Sequence, residues 1–172
     1  GLWVGRSGKP NTMAEAAKQI TDYRGATDES RGSPFPLVKC PWCEAEIEAR
    51  GMDTLPRRGD PIRTVVVCAS RECEAGSAQR GATDTKVGEL PVLFVDEHVY
   101  GELPAFVVST VDKFAMLTHR GQAGKLFGRV HSYTDQQGQP RRFWSGGDGD
   151  DHVMPATSAE PLPEGLPPPD LI

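Results

Sequence analysis

A mixed α/β chain interrupted by a small cysteine-bearing module is the fold class that three observations predict. The first is a set of four cysteines in two close pairs, Cys40-Pro41-Trp42-Cys43 and Cys68-Ala69-Ser70-Arg71-Glu72-Cys73, with 24 residues between the pairs. The second is two short apolar runs, Pro91-Val92-Leu93-Phe94-Val95 and Ala105-Phe106-Val107-Val108-Ser109, each the length of a buried strand. The third is the cap signature Ser109-Thr110-Val111-Asp112, which follows the second run and opens a helix through Lys113-Phe114-Ala115-Met116-Leu117. Strand, tight turn and helix make up the repeating unit of a parallel sheet with helices on its faces.

In chain order, Gly1-Leu2-Trp3-Val4-Gly5 reads as a buried strand and Arg6–Asn11 as a loop. Thr12-Met13-Ala14-Glu15 is a capping box, in which the threonine hydroxyl and the glutamate carboxylate satisfy N–H groups that the first helical turn leaves free. Met13, Ala16, Ala17 and Ile20 give that helix one apolar face, and Gly25 supplies a left-handed stop. Residues 26–36 are a polar linker into the cysteine module, placed at 37–76, and the polar stretch Gly76–Gly88 leads out of it. The module is therefore an insertion, with residues 1–36 and 77–144 belonging to one α/β unit. Residues 145–169 carry six prolines, four glycines and no lysine or arginine, which predicts an acidic loop over 145–172.

The cysteine module admits three chemistries. Four thiolates brought in twos by short turns suit a tetrahedral Zn²⁺. The layout is that of a zinc ribbon: Pro41 presets the first turn, Gly51, Pro56, Gly59 and Pro61 make a turn-rich stretch, and the β-branched run Ile62–Val67 delivers Cys68. Two disulfides would use the same residues but call for an oxidising compartment, to which no apolar leader points. A redox dithiol is the third. Pro36–Lys39, the Cys-Pro-Trp-Cys turn and an acidic helix through Glu44, Glu46 and Glu48 resemble a glutaredoxin-type active site, where a helix start would lower the pKa of Cys40. That reading leaves Cys68 and Cys73 without a role. The zinc reading uses all four cysteines, Cys40, Cys43, Cys68 and Cys73, and is the one adopted.

Composition bounds the rest. At 172 residues and 37% hydrophobic content the chain has room for one ordinary domain with an insertion, and its 19 glycines and 15 prolines predict long loops. A net charge of −5 argues against a free-standing nucleic-acid binder, whose affinity would come mainly from cations on phosphates. No run approaches the length of a membrane span, so a soluble, cytoplasmic protein is expected. Gly5-Arg6-Ser7-Gly8-Lys9 fails the phosphate-loop spacing, and Pro10 blocks the helix that should follow. Leu93-Phe94-Val95-Asp96-Glu97-His98 looks like a strand delivering an Mg²⁺-binding aspartate and a water-activating glutamate, but no phosphate loop precedes it, and a connecting segment is the plainer reading. His98, His119, His131 and His152 show no metal-ligand spacing, and Gly146–Asp151 lacks the calcium-loop pattern. Ser109, Thr110 and Lys113 offer free N–H groups, two hydroxyls and a cation at a helix start, which suit a phosphate without reading a base.

Leu90–Tyr100 followed by Leu103–Ala115 resembles the stretch preceding the DExH box of large bacterial superfamily 2 helicases of the DISARM phage-defence type, the DrmA-like proteins. The closing Pro168-Pro169-Asp170-Leu171-Ile172 is similar to the segment that enters their Walker B strand, and Gly1–Gly5 with Pro10-Asn11-Thr12 to the segment after their Walker A region. The resemblance implies an internal piece of a RecA-like domain with an inserted zinc ribbon. It implies a parent that hydrolyses ATP with Mg²⁺, acts on DNA and works with other defence-system subunits, while this segment lacks both Walker motifs and is inactive alone. It also implies that Ser109, Thr110 and Lys113 grip the backbone of the translocating strand. A self-contained zinc-ribbon module for partner binding is the alternative.

Overall fold

The computed structural model describes residues 1–4, 9–26, 32–75, 89–119, 121–134, 142–145, 159–162 and 166. Within them the chain is a mixed α/β structure built on small sheets. Strand β1 (Leu2–Trp3) is followed by helix α1 (Met13–Gly25), a 3-10 turn at Ala49–Gly51, and the hairpin β2 (Met52–Leu55) and β3 (Arg63–Val66). Helix α2 (Asp96–Glu102), strand β4 (Val108–Ser109), helix α3 (Val111–Ala115), a 3-10 turn at Met116–His119 and helix α4 (Ala123–Leu126) come next, then strands β5 (Ser132–Thr134), β6 (Arg142–Trp144) and β7 (Ala159–Pro161).

Helix α1 forms where its capping box predicts. Thr12 Oγ1 accepts from the N–H of Glu15 at 3.2 Å, and Glu15 Oε2 accepts from the N–H groups of Thr12 and Asn11 at 3.3 and 2.8 Å. Met13, Ala16 and Ile20 are buried as its apolar face. Its end differs from the expectation: Gly25 closes the helix without a left-handed φ, and the extended Ala26 caps it by donating its N–H to Tyr23 O at 3.3 Å.

The first apolar run of the α/β part is not a strand. Pro91–Phe94 is irregular, Leu93 O accepts one bond from Leu2 N–H at 2.7 Å, and the chain turns directly into α2 at Asp96. Asp96 and Glu97 therefore open a helix rather than lie in a connector, a placement favoured by the positive end of the helix dipole. Only the end of the second run forms a strand, β4, and it is not the buried strand expected, since Val108 and the preceding Phe106 are exposed; β4 pairs in parallel with β1 in the register Leu2↔Val108 and Trp3↔Ser109 and then feeds α3 through Thr110. This pair is the parallel element among the described residues. The other two sheets are antiparallel, the β2–β3 hairpin and the three-stranded β6-β5-β7.

Two of these strands fall where loops were expected. β2 lies in the turn-rich stretch, with Met52 and Thr54 buried on one face, and β7 lies inside the stretch read as an acidic loop. Pro161 sits in a strand at the sheet edge, where its missing N–H costs no ladder bond. Gly5–Gly8, the 76–88 connection, residues 146–158 and the Pro168–Ile172 segment lie outside the described residues.

One hydrophobic cluster joins α1, the cysteine module and the segment before α2. It contains Met13, Ala16, Ile20, Phe35, Cys40, Ile47, Met52, Val66, Cys68, Cys73, Leu90, Phe94 and Val95. Phe35 meets Phe94 edge-on with ring centres 5.2 Å apart. Beside this cluster, Trp3 packs edge-on against Tyr100 at 5.7 Å, and the buried Lys113 ammonium lies 5.9 Å from the Trp3 ring. Lys113 Nζ bonds Asp96 Oδ2 at 2.5 Å and Asn11 Oδ1 at 3.3 Å, an ion pair largely withdrawn from water. Removing one partner of such a pair strands the other charge. Asp96→Ala is expected to lower the unfolding free energy by about 3–5 kcal/mol, whereas loss of the α1 cap in Thr12→Ala should cost about 1 kcal/mol. Urea unfolding midpoints of the two variants test that ordering, and equal shifts would contradict it.

Candidate metal centre

Two turns and one hairpin bring the four cysteines together. In the first turn, Cys40 donates its N–H to Ala45 O at 2.8 Å, Glu44 N–H returns to Cys40 O at 2.9 Å, and Lys39 and Glu46 form an antiparallel bridge. Glu44 takes φ of 60°, the left-handed conformation that folds the chain back after Cys43. No helix follows: the residues after Cys43 bridge to Lys39 and then enter the 3-10 turn at Ala49–Gly51, so the expected acidic helix of Glu44, Glu46 and Glu48 is replaced by a tight knuckle. The second turn leaves β3 through Val67, whose N–H donates to Gly51 O at 2.7 Å, and carries Cys68 and Cys73 back towards the first. Gly51 is required at that contact, since a Cβ there would meet Val67 O at 2.6 Å.

The sulfurs converge. Cys40 and Cys73 Sγ are 3.7 Å apart, Cys43 and Cys68 Sγ are 3.5 Å apart, and all four lie within 4.8 Å of one another. Sulfurs about 2.3 Å from a tetrahedral Zn²⁺ are separated by roughly 3.8 Å along each edge, so this cluster has the dimensions to hold the ion. The separations are far beyond the length of a disulfide, about 2.05 Å, and the cysteines are free thiols. Four protein thiolates would fill a tetrahedral shell and leave no position on it for substrate or water, the donor set of structural rather than catalytic zinc sites.

The environment of the thiols differs in a way that serves this set. Burial pushes the Cys40 thiol up, opposed by the backbone N–H groups of Cys43 and Trp42 that point at its sulfur. Cys68 is pushed up to about 12, again by burial first, against the N–H of Ser70. Cys43, half-exposed, is brought down to about 7, chiefly by the N–H of Ala45. A redox dithiol of the expected kind needs Cys40 to be the exposed, acidic nucleophile at a helix start. Here Cys40 is buried, its pKa is raised, and no helix begins beside it.

The second group of expected site residues, Ser109, Thr110 and Lys113, lies on the turn from β4 into α3. Ser109 is half-buried and donates its hydroxyl to Thr110 O at 3.1 Å, while Thr110 is exposed at the helix start. Its hydroxyl holds the Asp112 carboxyl below the usual range. Lys113 points inward to Asp96 and Asn11, so the turn keeps its cation in the interior, while the backbone N–H groups of Asp112 and Lys113 are directed at the Asp112 carboxylate. The sequence missed the inward lysine because its partner Asp96 is 17 residues away. It also missed the part played by His98, which stands in α2 and bonds Thr64 of β3, a contact 34 residues apart with no local signature.

No family model matches the chain. Among curated proteins, it is 25% identical over 141 residues to the DISARM protein DrmA of Bacillus paralicheniformis, an alignment covering 80% of this chain. The chain spans only 12% of that protein's length. No helix among the described residues is long and apolar enough to cross a membrane.

In the reduced, metal-free protein the thiolate is the species that alkylates, so each cysteine's rate rises as pH passes its pKa. Cys43 is expected to reach half its maximal rate near pH 7, with Cys68 still unreactive at that pH. One equivalent of zinc should protect all four cysteines together. Site-resolved mass spectrometry of alkylation measures both, and protection of Cys40 and Cys43 alone would contradict a four-thiolate centre.

Proposed function

We propose that this chain is a segment of an ATP-dependent superfamily 2 DNA helicase or translocase acting in bacterial anti-phage defence, with its four cysteines holding a structural zinc ion. The similarity to DrmA over 80% of the chain carries the reading. Two features of the fold support it. The four-thiol cluster has the size and closed donor set of a structural zinc site. The β4–Thr110–α3 unit, laid in parallel against β1, has the strand–turn–helix order of a parallel sheet with helices on its faces, which supports a RecA-like reading.

In this reading Ser109 and Thr110 touch the sugar-phosphate backbone without reading bases, and Lys113 acts from behind, fixing the turn through Asp96 and Asn11. ATP and Mg²⁺ are handled by other parts of the motor. Asp96 is buried and held by Lys113, and one oxygen of the exposed Glu97 accepts from the N–H of Met13. The segment works in the cytoplasm on DNA, beside the remaining RecA-like domains and the other subunits of the defence system.

A second reading, a zinc-ribbon module that binds a protein partner without motor activity, draws on the exposed apolar side chains around the same turn. Phe106 is 75% exposed, Val111 87% and Phe114 62%. The two readings separate on a short single-stranded DNA followed by fluorescence anisotropy at low salt. Thr110→Ala is expected to weaken binding about two- to tenfold, the worth of one neutral hydrogen bond. It should leave the slope of affinity against salt unchanged, because no charge is removed. Absence of DNA binding by the unsubstituted chain would overturn the first reading in favour of the second.

A further inference from the structure

Three consecutive residues at the start of α2 reach three different elements. Asp96 Oδ2 accepts from Lys113 Nζ in α3 at 2.5 Å, and Glu97 Oε2 accepts from Met13 N–H at the start of α1 at 2.8 Å. His98 Nδ1 lies 3.0 Å from Thr64 Oγ1 and 3.4 Å from Thr64 N, in β3. The Thr64 N–H can only donate, so Nδ1 is the acceptor and the imidazole proton sits on Nε2, which donates to Glu102 Oε1 at 2.7 Å. His98 and Thr64 are both buried. Residues two apart on a helix point about 200° apart around its axis. Asp96 and His98 thus leave α2 on opposite sides, one towards the β4–α3 turn and one towards the cysteine hairpin.

That geometry makes α2 a short rigid bar with a polar grip at each side. On one side, Thr64 belongs to a four-residue strand that ends at Val66, two residues before the thiol Cys68. On the other, Lys113 belongs to the helix that begins at the exposed Thr110. Both grips are buried hydrogen bonds, which are costly to leave unmade and so hold their partners to defined positions. A two-stranded hairpin with strands of four residues has little stability of its own, and its position depends on what closes its ends.

We propose that α2 couples the metal centre to the Ser109–Thr110 turn, with His98 and Asp96 as positioning residues. Zinc on Cys40, Cys43, Cys68 and Cys73 fixes β3. Thr64 of β3 fixes His98, and α2 carries that constraint to Asp96, Lys113 and the turn. The coupling rests on the four thiols being a zinc site and does not depend on what the turn binds.

The test is amide hydrogen exchange, resolved by residue, on the full chain loaded with zinc and after zinc is stripped by a chelator, with thiol protection reporting the metal. Two amides report on the two ends: Val67, which donates to Gly51 O in the hairpin, and Phe114, which donates to Thr110 O in α3. Stripping zinc is expected to speed exchange at both about tenfold, within the usual range of site-to-site coupling. Thr64→Val keeps the shape and β-branching of the side chain but removes the hydroxyl from His98. In that variant Phe114 should exchange fast with zinc still bound and respond little to stripping, while Val67 keeps its response. Thr64→Ser, which retains the hydroxyl, should behave as the unsubstituted chain. Two results would overturn the coupling: Phe114 indifferent to zinc in the unsubstituted chain, or a zinc response at Phe114 undiminished in Thr64→Val. The second is what simple global unfolding on metal loss would give. Failure of zinc to protect the thiols would instead overturn the zinc reading itself.

Discussion

The convergence of four sulfurs from two distant turns is the constraint on which this fold turns. Cys40, Cys68 and Cys73 are buried in the same apolar cluster as Met13, Ile20 and Phe94. A thiol in such a place resists ionisation, as the raised Cys40 and Cys68 show. A divalent cation reverses that preference, because a coordinated thiol is deprotonated outright. The backbone already leans the same way: N–H groups of Trp42, Cys43, Ala45 and Ser70 are aimed at sulfur. They stabilise charge on the ligands that burial alone would penalise.

Helix α2 is the complement of that centre. Its opening Asp96-Glu97-His98 has the composition of a catalytic triplet in a nucleotide-driven motor, yet each side chain is spent on holding another element in place. Carboxylates at a helix start suit the dipole there. That local preference puts Asp96 and Glu97 where Lys113 and the N–H of Met13 can be met. The Trp3–Tyr100 contact then ties the same helix to β1 of the parallel β1–β4 pair, and Lys113 of α3, the partner of Asp96, lies beside the same Trp3 ring.

What was legible in the sequence is what short-range chemistry specifies. The Thr12–Glu15 box places the start of α1 because its bonds close within four residues. The cysteine pairs announce a four-thiol cluster that could hold a metal because their spacing is itself the geometry of a turn. The helix expected after Cys43 failed because a left-handed Glu44 and the Lys39–Glu46 bridge fold the chain back, a choice set by docking of the knuckle rather than by helix propensity. The Pro91–Val95 run failed as a strand for a similar reason. Its apolar side chains fit the cluster in an irregular path, and one bond from Leu2 is all the pairing it makes. The inward turn of Lys113 is invisible locally, since Asn11, its other partner, stands 102 residues away.

The cysteine-bearing segment packs with the rest of the described residues rather than apart from them. Met52 and Val66 from its hairpin and Ile47 from its knuckle are buried with α1 and with Leu90, Phe94 and Val95. Arg24, at the end of α1, reaches Met52 O and Asp53 in β2, and Arg63 of β3 pairs with Glu89 just before the cluster's last segment. An autonomous ribbon would close its own small core and present polar surface to its host. This segment shares a core, so the free energy of a metal bound by the four thiols would not be confined to it, because a site that does not exist in the unfolded chain returns its binding energy to whatever folds with it. Here that would include α1 and the approach to α2. Cys40, Cys68 and Cys73 lie inside the shared cluster rather than at its edge, and the buried Thr64–His98 bond links their hairpin to α2 and so towards the Thr110 turn.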